Sequence, residues 1–313
     1  MGTFAEVEDL PIVYLDLPGV MAGKIARGDV TMIVGPGGCA KGQTAIWIAT
    51  ALSQQGDKTV LITPEDDIET TVGPRLTACG ADKSLIFNLT TLDSGAPFLL
   101  HADGKTPGCI GALRSLVDSE GVRCVIIDPI LSCLGNGSVA SNKGARALLA
   151  PLFAMAKETG IAIVLTHHTV MGPDGKPKPA GSKGLTDALR LVYLAKVDQY
   201  NPAIRVLSTF KTNGRPTDDI QFTLDMGENG FTYVRWLDND EMVLRRTAWR
   251  MAAAEAGKRL GEKTTTADGS EAGEVPVPPS VASKWSSDES DDEKDDNDLL
   301  AERVEAMRAR FSG

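Results

Sequence analysis

The chain has 313 residues, of which 42% are hydrophobic and 5% aromatic, and its 42 acidic and 32 basic side chains give a formal charge of -10. This composition fits a soluble globular protein with one large core or two small ones. No apolar run reaches the roughly 18 residues of a membrane span, and the first residues lack the basic and then apolar order of a secretory signal. We therefore expect a cytoplasmic protein without a membrane partner.

Apolar runs typical of buried strands alternate with segments of helical periodicity. Strands are predicted at 30–35, 59–63, 85–89, 124–128, 161–168, 189–197, 204–211, 220–226 and 231–236. Helices are predicted at 44–55, 68–79, 110–119 and 143–159. The alternation predicts an α/β fold with a mainly parallel sheet flanked by helices, and the closely spaced last strands predict an antiparallel extension on the C-terminal side. We assign residues 1–262 to this single domain.

The cysteines do not follow a metal or disulfide pattern. Five are scattered along the chain without a CxxC pair, and only three histidines accompany them. Buried free thiols are therefore expected at Cys39, Cys79, Cys109, Cys124 and Cys133.

The turn after the first strand carries the clearest chemical signal. It reads GPGGCAKGQT and can be laid on the phosphate-binding pattern GxxxxGK[ST], with Lys41 as the lysine. Two adjacent glycines let backbone N–H groups converge on an anion at a helix start, and the lysine adds a point charge for the β- and γ-phosphates. We expect the turn to bind a nucleotide through Gly35, Pro36, Gly37, Gly38, Cys39, Ala40, Lys41, Gly42, Gln43 and Thr44.

Two positions depart from that pattern. Ala40 replaces the glycine before the lysine, and Gly42 replaces the Ser/Thr whose hydroxyl usually contacts magnesium. We expect Ala40 to avoid a positive φ, which costs a residue with a Cβ roughly 1 kcal/mol or more. We expect Thr44 to contact the metal through water.

Acidic residues follow two other predicted strands. Asp128 ends an apolar run and is placed at the carboxyl edge of the sheet, where a carboxylate can hold Mg²⁺ through water. Glu65 follows the second strand and can orient or deprotonate an attacking water. Asp66 and Asp67 are alternatives for that role, although a helix N-cap before Ile68 suits them better.

Five blocks of the chain, between about Ile12 and Trp236, resemble the RecA-like ATPases of the RepA-type hexameric helicase group, which are common on plasmids and phages. The blocks are GDVTMIVGPGGCAKG, VLITPEDDIETTVGPRLTACGAD, VIIDPILSCLG, IAIVLTHH and GSKGLTDALRLVYLAK. The resemblance implies a RecA-like fold, ATP and Mg²⁺ as ligands, and a bacterial or phage-infected cell as the location.

The same resemblance implies individual roles. Glu65 would be the catalytic glutamate and Asp128 the magnesium aspartate, beside the phosphate turn at Gly35–Gly42. His167 and His168 would be sensors of the γ-phosphate. The alternative for the two histidines is a strand with one buried and one exposed imidazole.

A homo-oligomer, in the form of a hexameric ring, is also implied. A basic residue from the neighbouring subunit would then reach the nucleotide and stabilise charge on the transferring phosphoryl group. Lys211 and Arg215 are the candidates, with Arg190 as a further one that can instead pair with a carboxylate. A plain basic hairpin tip is the alternative for Lys211 and Arg215.

Single-stranded DNA is the expected polymer partner. The Gly/Pro-rich segment Thr169–Gly184 is predicted to be a long flexible loop, and basic loops of this kind track phosphates without reading bases. The second candidate loop, Leu134–Gly144, follows the predicted strand that ends at Asp128. The candidate contacts in the two loops are Lys143, Lys176, Lys178 and Lys183.

Other functions fit parts of the pattern. A RecA-like recombination or annealing ATPase needs the same site, and only unwinding and ring geometry separate it from a helicase. The segment KGQT also resembles the GKGTQ of adenylate kinases, but a nucleotide kinase has no use for the Glu65, histidine and Lys211 blocks. The altered turn also suits a nucleotide-gated DNA-binding module with weak hydrolysis.

The C-terminal part holds most of the excess negative charge. Residues 263–313 contain 13 acidic and 6 basic side chains, and residues 263–297 are rich in Ser, Asp, Glu, Gly and Pro. This composition predicts a disordered acidic linker. A helical stripe then predicts a short helix over residues 298–313, either a docking helix on a tether or a frayed end. Such a tail can contact a replication partner, compete with DNA for a basic groove or only keep the protein soluble.

Overall fold

The computed structural model describes residues 11–101, 109–135, 141–172, 177–181, 183–198, 201–214, 217–238 and 240–242. The chain divides into one unit at Met1–Asp238 and a second at Asn239–Gly313. The predicted linker and C-terminal helix lie outside the described residues, so the boundary after residue 262 stays a prediction.

Ten strands lie in the first unit, within the described ranges. They are β1 (Val30–Gly35), β2 (Thr59–Ile62), β3 (Ile86–Asn88), β4 (Cys124–Ile127), β5 (Ala162–Met171), β6 (Pro177–Pro179), β7 (Leu191–Val197), β8 (Ile204–Thr212), β9 (Ile220–Met226) and β10 (Thr232–Trp236).

Helices connect most of the parallel strands. They are α1 (Lys41–Ser53), α2 (Gly73–Cys79), α3 (Ile110–Glu120), α4 (Asn142–Thr159) and α5 (Lys183–Asp187). A π-helical turn at Ile68–Val72 leads into α2, and short 3-10 turns lie at Gly19–Met21, Lys83–Leu85 and Ile130–Cys133. In the described part of the chain, none of the helices combines the length and apolar character that a membrane span requires.

The sheet has the order β10-β9-β8-β7-β1-β5-β4-β2-β3, with β6 paired to the end of β5. β1 is central and pairs in parallel with β5 and β7, and β4, β2 and β3 continue the parallel part. β8, β9 and β10 form an antiparallel extension from β7. The predicted α/β class, with its parallel sheet and antiparallel C-terminal side, is confirmed.

Both faces of the sheet are covered, which explains the unbroken apolar runs. On β1, the side chains of Val30, Met32 and Val34 join one buried cluster with α3 and α4, and Ile33 joins the other with α1 and α2. Four cysteines are buried free thiols, as expected, and Cys79 is partly buried.

The largest departure from the predicted elements follows the two histidines. β5 runs on to Met171, and Thr169–Met171 pairs antiparallel with β6. Part of the segment predicted as a flexible loop is therefore a β-hairpin. Pro177 and Pro179 suggested a loop, but proline is tolerated here because β6 lies off the main path of the sheet, paired with the end of β5, in the manner of an edge strand.

Gly35 lies where β7 closely approaches β1. A Cβ added at Gly35 would lie 2.5 Å from the carbonyl oxygen of Ala195, whereas one added at Gly37 would have no atom within 4 Å. We predict that Gly35→Ala lowers the free energy of unfolding by about 1–3 kcal/mol through overpacking. The matched variant Gly37→Ala should stay within about 0.5 kcal/mol of wild type. Urea unfolding measures both, and equal losses would contradict the close approach.

Candidate functional site

The phosphate turn joins β1 to α1 through a left-handed residue. Ala40, the N-cap of α1, has φ 64° and ψ 30°, and it is the one non-glycine residue with a positive φ in the described ranges. The expectation that Ala40 avoids this region is wrong. The left-handed turn lets α1 begin at Lys41, three residues earlier than predicted, and the strain of an alanine there is borne by the surrounding fold.

Lys41 is fixed against its own turn. Its side chain is buried, and Nζ donates to the carbonyl oxygens of Gly35 at 2.8 Å and Pro36 at 2.9 Å. Burial lowers the pKa of Lys41, while the nearby charges of Asp128 and Glu65 act in the opposite direction. The ammonium group is thus held at the base of the turn, where the helix start and the lysine together favour an anion.

A cleft of about 340 Å³ opens beside this turn. It brings together residues from the ends of β1, β2, β4 and β5, as expected for the carboxyl edge of a parallel sheet. The residues that line it are Gly37, Gly38, Ala40, Lys41, Gly42, Gln43, Thr63, Glu65, Asp66, Arg75, Asp128, Pro129 and His168.

Four of the residues predicted to bind the nucleotide do not line the cleft: Gly35, Pro36, Cys39 and Thr44. Cys39 is buried in the core, and the Thr44 hydroxyl donates to the carbonyl oxygen of Ala40 at 3.0 Å. Thr44 is 0% exposed, so the expected water-mediated contact between Thr44 and the metal does not fit this position.

Asp128 lies directly after β4 and faces the cleft. Burial raises the pKa of Asp128, a hydrogen bond from Thr166 opposes the rise, and the Asp66 charge adds to it. The Thr166 hydroxyl donates to Oδ1 of Asp128. Sequence reasoning missed Thr166, although it lies two residues before His168 on β5 and therefore on the same face of the strand.

Glu65 is held between two other elements of the site. Its Oε1 accepts a hydrogen bond from the Ser132 hydroxyl, and its Oε2 lies 4.0 Å from Nε2 of His168. Ser132 belongs to the 3-10 turn that follows β4. No sequence signal pointed to Ser132, because its contact depends on the path of that turn. The arrangement keeps a carboxylate close to the position where a terminal phosphate would enter the cleft.

The two aspartates after Glu65 have separate tasks. Asp67 caps the π-helical turn and accepts from the backbone N–H groups of Glu69 and Thr70, which confirms the N-cap prediction for this residue. Asp66 instead pairs with Arg75 at 2.6 Å, and both side chains line the cleft. Arg75 was not predicted and brings a second cation to the cleft.

The structure separates the two histidines. His167 is 0% exposed, its Nε2 lies 2.8 Å from the carbonyl oxygen of Ala180, and its Nδ1 has no hydrogen-bond partner in the described residues. His168 is about half exposed and lines the cleft. The alternative of one buried and one exposed histidine is confirmed, and only His168 is placed to meet a phosphate.

The antiparallel extension braces the phosphate turn from the other side. Gln43 Nε2 donates to the Thr232 hydroxyl on β10 at 2.9 Å. Arg205 Nε, at the start of β8, donates to the carbonyl oxygen of Gly38 at 3.3 Å. Arg205 was missed because the register that brings β8 beside the turn is not readable from the sequence.

The candidates for action on a neighbouring subunit lie at the opposite edge of the sheet. Lys211 pairs with Val192 near the start of β7, and its Nζ donates to the carbonyl oxygens of Thr186, Asp187 and Leu189 at 2.7–2.9 Å. Arg190 is exposed and lies 4.0 Å from Asp29. Arg215 lies outside the described residues. Lys211 and Arg190 therefore lie away from the cleft of this chain.

The described candidate DNA contacts lie on three elements, α4, β6 and α5. Lys143 is an exposed residue in the first turn of α4, and Lys178 is an exposed residue of β6 in the hairpin. Lys183 begins α5. Lys176 lies outside the described residues.

Mg²⁺ and a nucleoside triphosphate fit this site together. In the described ranges, no three His, Cys, Asp or Glu side chains are grouped to hold a metal by themselves. Asp128, however, presents a carboxylate beside Lys41 and the phosphate turn. Mg²⁺ is commonly held by one or two carboxylates, water and the phosphates of the substrate, so the donor set suits a metal that arrives with the nucleotide.

The strain at Ala40 can be measured directly. We predict that Ala40→Gly raises the free energy of unfolding by about 0.5–1 kcal/mol, because glycine adopts a positive φ without penalty. The control Ala147→Gly, at an exposed position inside α4, should lower it by about 1 kcal/mol. Opposite signs in urea unfolding support the left-handed turn, and a loss in both variants would contradict it.

Burial of His167 predicts a pH dependence of stability. Burial lowers the pKa of His167 from its ordinary value of 6.5. Because the unfolded chain then binds a proton that the folded chain resists, stability is lost as the pH falls from about 6.5 toward the lowered pKa. We expect wild type to lose more stability than His167→Gln between pH 7.5 and 5, measured by urea unfolding. His168→Gln is the control and should retain the wild-type loss. An equal loss in His167→Gln and wild type would show that His167 does not control the effect.

Comparison with known proteins agrees with this geometry. Residues 16–172, which span β1 to β5 and every cleft residue named above, match the family model described as AAA domain. A search of curated proteins returned no match. The matched region is half of the chain and contains the phosphate turn, Glu65 and Asp128. The chain therefore belongs to the AAA domain family and is a P-loop ATPase.

Proposed function

We propose that this ATPase is a nucleic-acid motor, specifically a RepA-type hexameric helicase that translocates on single-stranded DNA in phage or plasmid replication. The observation that carries the proposal is the continuity of β5. One strand runs from the nucleotide cleft into a basic hairpin. A motor needs such a connection, because hydrolysis must change the grip on a polymer.

Three successive parts of β5 supply this connection. Thr166 donates to Asp128, His168 lines the cleft, and Thr169–Met171 pairs with β6. The hairpin also exposes apolar side chains, since Val170 and Met171 are 55% and 68% exposed. A polymer that displaces the hairpin therefore acts on the same strand that positions the cleft residues.

The cleft residues divide the chemistry of ATP hydrolysis. Lys41 and the N–H groups of the turn bind the β- and γ-phosphates, and Glu65 orients the attacking water and accepts its proton. His168, 4.0 Å from Glu65, contacts the terminal phosphate. When bound, Mg²⁺ supplies charge neutralisation at the β- and γ-oxygens, beside Asp128.

In a ring, each subunit can supply a basic residue to the nucleotide bound by its neighbour. In the described residues, Arg190 and Lys211 lie at the edge of the sheet opposite the cleft, so they serve the nucleotide of a neighbour. Lys211 must leave three backbone carbonyls to do so, and the exposed Arg190 is free of that restriction. Arg215 is the remaining candidate for contact with the nucleotide of a neighbour. The acidic tail is proposed to contact a replication partner.

The proposal predicts that Mg²⁺-dependent ATP hydrolysis rises when single-stranded DNA is added. Lys41→Ala should abolish turnover, since it removes the phosphate-binding cation. Glu65→Gln should lower kcat by about 10²-fold or more, since it removes the general base. The rate of phosphate release at saturating ATP, with and without DNA, is measured for wild type, Lys41→Ala and Glu65→Gln.

Matched controls use exposed residues of the same type outside the cleft. Lys157→Ala on α4 and Glu69→Gln before α2 should keep the wild-type rate and its DNA stimulation. A strand-unwinding assay then separates a helicase from a recombination ATPase. An ATP hydrolysis rate that does not change when DNA is added would contradict the motor function. Tight ATP binding without turnover would instead indicate a nucleotide-gated module.

A further inference from the structure

The fold explains why the residue after Lys41 is a glycine and not the Ser or Thr of the common motif. A Cβ added at Gly42 would lie 2.8 Å from Oδ2 of Asp128, a distance that real Cβ contacts essentially never reach. The Asp128 carboxylate therefore occupies the space that a Ser or Thr side chain would need. Glycine at this position and the placement of Asp128 depend on each other.

Asp128 is fixed in that space from two sides. Its backbone N–H donates to the carbonyl oxygen of Ile62 at 2.9 Å, and its Oδ1 accepts from the hydroxyl of Thr166, which is 0% exposed. A buried threonine on a central strand has little freedom to move. Oδ1 is thereby engaged, and Oδ2 is left toward Gly42 and the cleft.

A hydroxyl from elsewhere in the first turn of α1 does not replace the missing one. Thr44 is fully buried, and its Oγ1 is engaged by the carbonyl oxygen of Ala40 at 3.0 Å. In the described part of the site, Oδ2 of Asp128 is thus the side-chain oxygen nearest to the position where a Ser or Thr would place its metal-binding hydroxyl.

We infer that Asp128 replaces this hydroxyl as the protein contact to the Mg²⁺ of bound Mg·ATP, with Gly42 and Thr166 as its positioning residues. Gly42 leaves the room, and Thr166 orients the carboxylate. The inference rests on the ATPase function of the cleft. Its consequence is that restoring the common motif with Gly42→Ser harms the site, because the new side chain displaces Asp128.

Nucleotide binding without turnover tests this inference. The dissociation constant of a fluorescent, non-hydrolysable ATP analogue is measured by anisotropy in EDTA and over a Mg²⁺ titration. We expect Mg²⁺ to tighten binding by wild type. Thr166→Val should weaken the apparent Mg²⁺ affinity by about 10-fold or more and leave binding in EDTA unchanged, since residues that orient a metal ligand typically have effects of that size.

Further variants separate positioning from general damage. Thr166→Ser keeps the hydroxyl and should restore the Mg²⁺ effect, and Gly42→Ser should weaken it. Thr59→Val is the matched control, because Thr59 is equally buried and its hydroxyl has no partner in the described residues. Circular dichroism verifies that each variant is folded.

Two results would overturn the inference. One is an unchanged Mg²⁺ effect in Thr166→Val, and the other is stronger Mg²⁺-dependent binding by Gly42→Ser, as a missing hydroxyl restored to its place would give. Failure of wild type to bind the analogue in both conditions would instead contradict the ATPase assignment itself, and the inference with it.

Discussion

The parallel pairing of β1 with β5 and β7 is the constraint on which the rest of the molecule depends. It buries β1 completely and directs its carboxyl end, with the phosphate turn, to the same edge as the ends of β4 and β5. Lys41, Asp128 and His168 come from distant parts of the sequence and meet because parallel strands end together. Because β7 approaches Gly35 so closely, a side chain does not fit at that position.

Around this edge, the site balances charges that would be unfavourable alone. Glu65, Asp66 and Asp128 face one cleft, and Lys41 and Arg75 oppose them. Hydrogen bonds from Ser132 and Thr166 hold two of the carboxylates in place. The site thus combines partly compensated negative charge with an anion-binding turn, which suits a ligand that carries both phosphates and a divalent cation.

Local sequence patterns predicted the strands that carry this site better than they predicted the side-chain contacts between its residues. Apolar runs identified the buried strands, and residues directly after them, such as Glu65 and Asp128, could be placed at the edge of the sheet. Contacts made by Arg75, Ser132 and Arg205 depend on turn paths and strand register, which no local pattern encodes. Ala40 was misjudged because a propensity of about 1 kcal/mol yields to the tertiary requirement for a left-handed turn. The hairpin after β5 was missed because its prolines resemble those of a loop.

The two departures from the common phosphate-binding motif have different physical meanings. Ala40 adopts a positive φ, which glycine tolerates without penalty, and therefore carries strain. Gly42 has no side chain because the carboxylate of Asp128 already occupies the space that a Cβ would need. Neither change removes the turn, the lysine or the carboxylates, so the altered motif is compatible with hydrolysis.

Hydrogen exchange of the wild-type protein, with and without Mg²⁺ and a non-hydrolysable ATP analogue, tests most directly whether this edge of the sheet binds the nucleotide. Backbone amides of the phosphate turn, residues 37–44, and of residues 65–75 should exchange more slowly with the ligand, and Lys41→Ala should lose this protection. Unchanged exchange in the phosphate turn, or protection confined to other parts of the chain, would contradict the assignment of the site.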